Sequence, residues 1–223
     1  MSYDDRPKLI YLALRHPRFT PEAFIGRWRE HAALGMRQPR WRNVALYLHC
    51  DPAEGMPAEA VPVHCDGVAV VVYRSEAARQ AHIGDGLARQ TMKADELATF
   101  AQPVARTSLL LRQEVRRPGP LEAWRLFAFR DDVAGESDAV SHAVSGLGRS
   151  ALPAGEIGHI RNHVTAVVGA WACAGVDEFS CANLGPLVAL ARSLAATATP
   201  EARLRMAMTH TVVLHDRPVL PVD

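Results

Sequence analysis

What most restricts the fold of this chain is a strand-like run, apolar on both faces, that recurs along the sequence. Lys8-Leu-Ile-Tyr-Leu-Ala-Leu-Arg15 ends at His16-Pro17 and reads as a buried strand. Ile10, Leu12 and Leu14 alternate with Leu9, Tyr11 and Ala13, so both faces need cover. Asn43–His49 has the same character: Val44, Leu46 and Leu48 alternate with Ala45, Tyr47 and His49. Ala123-Trp-Arg-Leu-Phe-Ala-Phe-Arg130 then lies over the first run, with Arg130 in the place of Arg15.

Between these runs the order of elements is β-α-β-β-α-β. Thr20-Pro21-Glu22 opens a helix with an N-cap, a first-turn proline and a first-turn acid, and Gly35 suits a left-handed C-cap. Gly67–Tyr73 is a third strand. Ser75 caps a helix over Glu76–Arg89, interrupted near Gly84 and Gly86. A helical turn from Asp95 to Phe100 precedes a fourth strand, Thr107–Arg112. After the linker Arg117-Pro-Gly-Pro120 the plan begins again. Its parts are a weak helix over Glu136–Gly148, strands at Arg161–Val168 and Val176–Ala182, a helix at Leu184–Ala196 and a last strand at His210–His215. The expected architecture is α+β, with two ferredoxin-like βαββαβ repeats, residues 1–117 and 118–223, fused into one pseudo-dimeric α+β barrel. One copy covers only one face of its sheet with helices; two copies packed sheet against sheet bury the other.

Composition narrows the function. The chain has 223 residues with 25 Lys+Arg against 24 Asp+Glu, too even for a nucleic-acid footprint. Residues 1–117 carry 17 basic and 13 acidic side chains, leaving 8 and 11 for the rest. Arg37, Arg40 and Arg42 beside Trp41 read as a solvated loop. No apolar run reaches membrane-spanning length and MSYDDRPK has no signal core, so the expected address is cytoplasmic with no membrane partner. Cys50, Cys65, Cys173 and Cys181 form no C-x-x-C and read as buried apolar residues.

Phe24, Trp28, His31 and Gly35 fall within about 60° of one another on the first helix, a stripe that faces the sheet. An inward imidazole loses solvation as a cation and serves as a neutral base, or else it is a core histidine tied to a carbonyl. Tyr47 and His49 share one strand face and Tyr11 can join them, giving an aromatic-walled pocket with polar tips; alternatively His49 sits at a solvated rim. Asp66 is a turn carboxylate or the orienter of a histidine. Asp95-Glu96 begin a short helix, where acids suit the dipole. His159 and His163 lie on a strand about 13 Å apart and cannot share a metal ion. His210 and His215, an odd number apart, point to opposite faces. No metal site is expected. No G-x-G-x-x-G, Walker loop or G-x-S-x-G elbow occurs.

Phe24-Ile-Gly-Arg-Trp28-Arg-Glu-His31 resembles the Phe-x-x-x-Trp-x-x-x-His helix of the EthD-like group in the dimeric α+β barrel superfamily. Asp66-Gly67-Val-Ala, Asp95-Glu96 with Phe100, and Glu114 extend the resemblance over residues 8–117. It implies the fused barrel and small-molecule chemistry in an apolar pocket, often without a cofactor. EthD-like proteins stand beside oxygenases in ether and aromatic catabolism, and related proteins are assigned dehydratase or decarboxylase roles in polyketide tailoring. Some relatives with fused ferredoxin-like repeats bind haem, but no histidine here lies in a haem-specific motif.

The second copy departs from the pattern, since Gly146 falls where the first has His31. One pocket per chain is expected, in the first copy. The expected function is a cofactor-independent, monooxygenase-like oxidoreductase acting on an apolar phenol- or carbonyl-bearing substrate. His31 is the base, Tyr47 or His49 holds the oxyanion, and Tyr11, Phe24, Trp28 and Asp66 contact the substrate. The alternatives are a cofactor-free lyase (dehydratase or decarboxylase) and a metabolite-binding accessory protein. A homodimer of the pseudo-dimeric chains is a further option.

Overall fold

A computed structural model describes residues 2–131, 157–169, 171, 173–198 and 204–216. Its strands are β1 (Ser2–Ala13), β2 (Val44–Pro52), β3 (Gly67–Tyr73), β4 (Ser108–Arg117), β5 (Trp124–Arg130), β6 (Gly158–Val167), β7 (Gly175–Cys181) and β8 (Arg205–Asp216). The helices are α1 (Pro21–Met36), α2 (Glu76–Gly84), α3 (Gly86–Thr99) and α4 (Leu184–Thr197).

The strands close an eight-stranded antiparallel barrel in the order β1-β3-β2-β8-β5-β7-β6-β4. Each half contributes the same internal order, β4-β1-β3-β2 and β8-β5-β7-β6. The halves join edge to edge through β2 with β8 and β4 with β6. Closure leaves no free edge and answers the demand of strands that are apolar on both faces. The inward residues, among them Ile10, Leu12, Leu48, Val70, Leu109, Phe127 and Phe129, fill the barrel. On the outside, α1 covers Tyr11, Ala13, Val44, Tyr47 and Val71, and α4 covers Leu126, Phe179 and Met208. Among the described residues no helix is long and apolar enough to cross a membrane.

Several boundaries differ from the sequence reading. β1 begins at Ser2, β4 runs on to Arg117 and β8 begins at Arg205. In β8 the extra length adds buried Met206, Ala207 and Met208. In β4 it is largely polar, and barrel closure supplies its partners, Gln113 pairing with Asn162 and Glu114 with Arg161 across the β4–β6 ladder. Gly35 is no left-handed cap. Helix α1 continues to Met36, and the next residue, Arg37, keeps helical dihedrals. Gly35 instead admits Met92 and Trp41, each 3.6 Å from where a Cβ would stand. Asp95 does not begin a helix either, because α3 starts at Gly86 with Asp85 as its N-cap. A β-bulge in β8, where Tyr47 pairs His215 and Leu48 pairs Val213, overturns the alternation expected of His210 and His215. Both lie on the outer face, one against Trp124 and the other against Trp41. The weak helix at 136–148 and the Gly146 position lie outside the described residues.

Charge occurs deep inside the barrel. Lys8 of β1 contacts Glu178 of β7, and both are about 2% exposed. Asn162 Nδ2 donates to Glu178 Oε1 at 2.8 Å, and Arg125 Nη1 stands 3.7 Å from Glu178 Oε2. Arg125 Nε also donates to Thr211 Oγ1 at 2.8 Å.

Candidate active site

The site forms where α1 lies on the outer face of β1, β3 and β2. Thr20 Oγ1 accepts from the Ala23 amide at 3.2 Å, which fixes the start of α1 and therefore the phase of its stripe. Phe24 and Trp28 are fully buried and stacked, ring centres 5.8 Å apart, and Phe100 closes their edge. Beyond them a cavity of about 290 Å³ opens between the sheet and α1, α2 and α3. Leu9, Val71, Ile83, Met92, Val104 and Val168 give it apolar walls; Tyr11, His31, Trp41, Tyr47, Tyr73, His82 and Glu96 bring polar groups.

His31 is 8% exposed and lines this cavity. Its Nδ1 lies 2.6 Å from Asp95 Oδ2. Arg27, one turn earlier on α1, holds the same carboxylate. Burial lowers the His31 pKa from 6.5 and outweighs the opposing pull of Asp95. Burial would raise the Asp95 pKa, but hydrogen bonds from His31 and Arg27 keep it below its ordinary value. A neutral imidazole beside a carboxylate carries its proton on Nδ1, leaving the Nε2 lone pair as the remaining acceptor. The partner of His31 is therefore Asp95. Asp66, the carboxylate that the sequence offered for that role, accepts from the Arg15 amide at 2.8 Å and from Arg15 Nε at 2.9 Å, and it does not line the cavity.

Tyr11, Tyr47 and His49 come together as the strand pattern implies. Tyr11 Oη and Tyr47 Oη are 3.2 Å apart, and His49 Nε2 is 2.6 Å from Tyr47 Oη. Trp28 Nε1 donates to Tyr11 Oη at 3.1 Å. His49 is not at a solvated rim: it is fully buried, its ring stacked 3.7 Å from that of Trp28. Nor does it line the cavity, because Tyr47 stands in front of it. Arg29 contacts His49 Nδ1 and continues to Asp51 Oδ2 at 2.5 Å. Burial, then the Arg29 charge, hold the His49 pKa well below 6.5. Burial likewise raises the phenol pKa of Tyr11, and that of Tyr47 well above 10.0, so both keep their protons.

Three contributors went unread in the sequence. His82 on α2 lines the cavity with its Nδ1 3.1 Å from the Arg40 carbonyl, and burial takes its pKa down to about 4. Trp41 lines the cavity too, and its buried Nε1–H has no partner among the described residues. The third is Asp95 in its new role. Among the described residues no group of three His, Cys, Asp or Glu side chains could hold a metal ion. His159 pairs with Asp177 and His163 with Glu114, on a strand as expected.

Residues 16–103 match the model of the EthD domain. No curated protein matches the chain. Among solved structures, an anthrone oxidase-like protein superposes with a TM-score of 0.60 at 10% identity, over 98% of each chain. A provisionally assigned monooxygenase from Lactobacillus acidophilus NCFM gives 0.51 at 10% identity, over 93% of this chain and 94% of that one. A mutant chlorite dismutase from Candidatus Nitrospira defluvii gives 0.52 at 10% identity, over 93% of this chain and 92% of the other. At such identities the likeness is one of fold.

Proposed function

We propose, starting from the match of residues 16–103 to the EthD domain model, that the cavity of this chain deprotonates and oxidises a small apolar phenol or aryl ketone. The observation that carries this reading is the His31–Asp95 pair, a neutral imidazole with one nitrogen fixed and the other uncommitted in an apolar cavity. That is the arrangement a general base needs. The names of the anthrone oxidase-like and monooxygenase neighbours support the same chemistry. The shared strand order of the two halves supports reading them as copies of one ferredoxin-like plan, 1–117 and 118–223, with the site in the first.

In this mechanism His31 Nε2 takes a proton from the acidic O–H or benzylic C–H of the substrate. Asp95 stabilises the imidazolium that forms. The negative charge on the substrate oxygen is met by the Tyr11–Tyr47 hydroxyls, with the unpartnered Trp41 N–H as a second donor. The anion gives one electron to dioxygen, and the radical and superoxide combine to a carbon-bound peroxide. The imidazolium returns its proton to the peroxide, and loss of water from the hydroperoxide leaves a new carbonyl, so one oxygen atom enters the product and the other departs as water. Dioxygen is the only oxidant needed. A haem is no part of the proposal: about 290 Å³ is at the small end even for drug-sized ligands, and a tetrapyrrole is larger.

An oxygen electrode with anthrone as substrate tests the reading. The wild-type chain should consume one dioxygen per anthrone, and His31→Gln should lower the rate by about 100-fold or more. Binding without oxygen uptake would favour an accessory carrier. Release of water or carbon dioxide without uptake would favour a lyase.

A further inference from the structure

We propose that the Tyr11–Tyr47 pair gives the cavity one surplus hydrogen-bond donor, maintained from behind by Arg29 through the tautomer of His49, which makes the site selective for a ligand with a carbonyl or phenolate oxygen. The inference rests on the cavity being the ligand site, and it follows from counting hydrogens.

A guanidinium has only N–H donors, so His49 Nδ1, in contact with Arg29, must accept. The single proton of this neutral ring is then on Nε2, which donates to Tyr47 Oη. Trp28 Nε1–H donates to Tyr11 Oη. The two hydroxyls thus each receive a hydrogen from behind, and the bond between them uses one of their own two. One hydroxyl hydrogen is left over. Both tyrosines line the cavity, so the surplus is presented there whichever of them carries it. Arg29 and His49 do not line it. Arg29 is therefore a positioning residue, acting through His49.

The same count predicts what happens without Arg29. In Arg29→Met, the released Asp51 carboxylate favours a proton on His49 Nδ1, and Nε2 becomes an acceptor. Tyr47 then spends its hydrogen on His49 and Tyr11 spends its own on Tyr47. The surplus vanishes although no cavity residue has changed. Single removals behave differently, because Tyr11→Phe leaves the Tyr47 hydrogen free and Tyr47→Phe leaves that of Tyr11.

The test is the carbonyl stretch of 1-tetralone, an apolar aryl ketone, bound to each protein and read by infrared difference spectroscopy. The band should lie at a hydrogen-bonded frequency in the wild type, in Tyr11→Phe, in Tyr47→Phe and in Arg29→Lys, which keeps only donors at that position. In Arg29→Met and in the double variant Y11F/Y47F it should move back toward its frequency in apolar solvent by the same amount, any residual shift being that of the Trp41 N–H. Affinity in the double variant should fall about tenfold, the worth of one neutral hydrogen bond. An unshifted wild-type band, or loss of the shift in either single phenylalanine variant, would overturn the proposal. So would a shift that survives undiminished in the double variant or in Arg29→Met. A wild-type chain that binds no tetralone would instead overturn the reading of the cavity on which this one stands. Should Arg29→Met fail to fold, the tyrosine variants decide the hydrogen count.

Discussion

At the scale of single residues, the site is defined by imidazoles kept neutral. His31, His49 and His82 all have pKa values below 6.5, with burial the largest cause in each. In the unfolded chain these rings take up protons as the pH falls through about 6.5; in the folded protein they resist. The unfolded state therefore binds more protons on the acid side, and stability must decline as pH drops. His82 marks the window, since its folded value is about 4. The urea midpoint should be flat above pH 7 and fall steadily between about 6.5 and 4, and His82→Gln should flatten part of that slope. A midpoint unchanged across that range would show that the rings are charged in the folded state.

At the scale of elements, the site depends on how closely α1 approaches the sheet. Gly67 opens β3 directly beneath Trp28, and a Cβ there would run into the indole ring. Gly67→Ala should therefore cost about 1–3 kcal/mol in denaturant unfolding and displace Trp28, with a change in its fluorescence. This is also the scale at which legibility divides. The period-two runs of β1 and β2 put Tyr11 and Tyr47 on one face, and the Thr20 cap set the phase that turns His31 inward; local chemistry decides both. The partner of His31 was hidden for a different reason. Asp95 is 64 residues away, on a helix whose start at Gly86 looked like an interruption, so its carboxylate passed for a dipole partner. Arg29 was hidden as well, because nothing local distinguishes its role from that of a solvated arginine on the same helix. His82 needed the packing of α2 against the Pro39–Asn43 turn, a contact between distant segments.

At the scale of the whole molecule, the two halves are held by closure and by charge within the barrel. The Lys8–Glu178 pair crosses from β1 in the first half to β7 in the second. Burying such a pair is costly, and breaking it more so, because the remaining charge stays in a dry interior. Lys8→Met should destabilise the chain by about 3 kcal/mol in urea titration, the low end of the range because Asn162 and Arg125 still reach Glu178. Such a loss would leave the cavity outside the barrel chemically intact. The barrel is thus a rigid support, and the chemistry lies between its outer wall and the helices of the first half. That division rests on the state of one ring. Nitrogen-15 NMR of the histidine side chains at pH 7 reads it directly. The account predicts that His31 is neutral, with a hydrogen on Nδ1 and none on Nε2. An imidazolium at that pH, or the opposite tautomer, would contradict it.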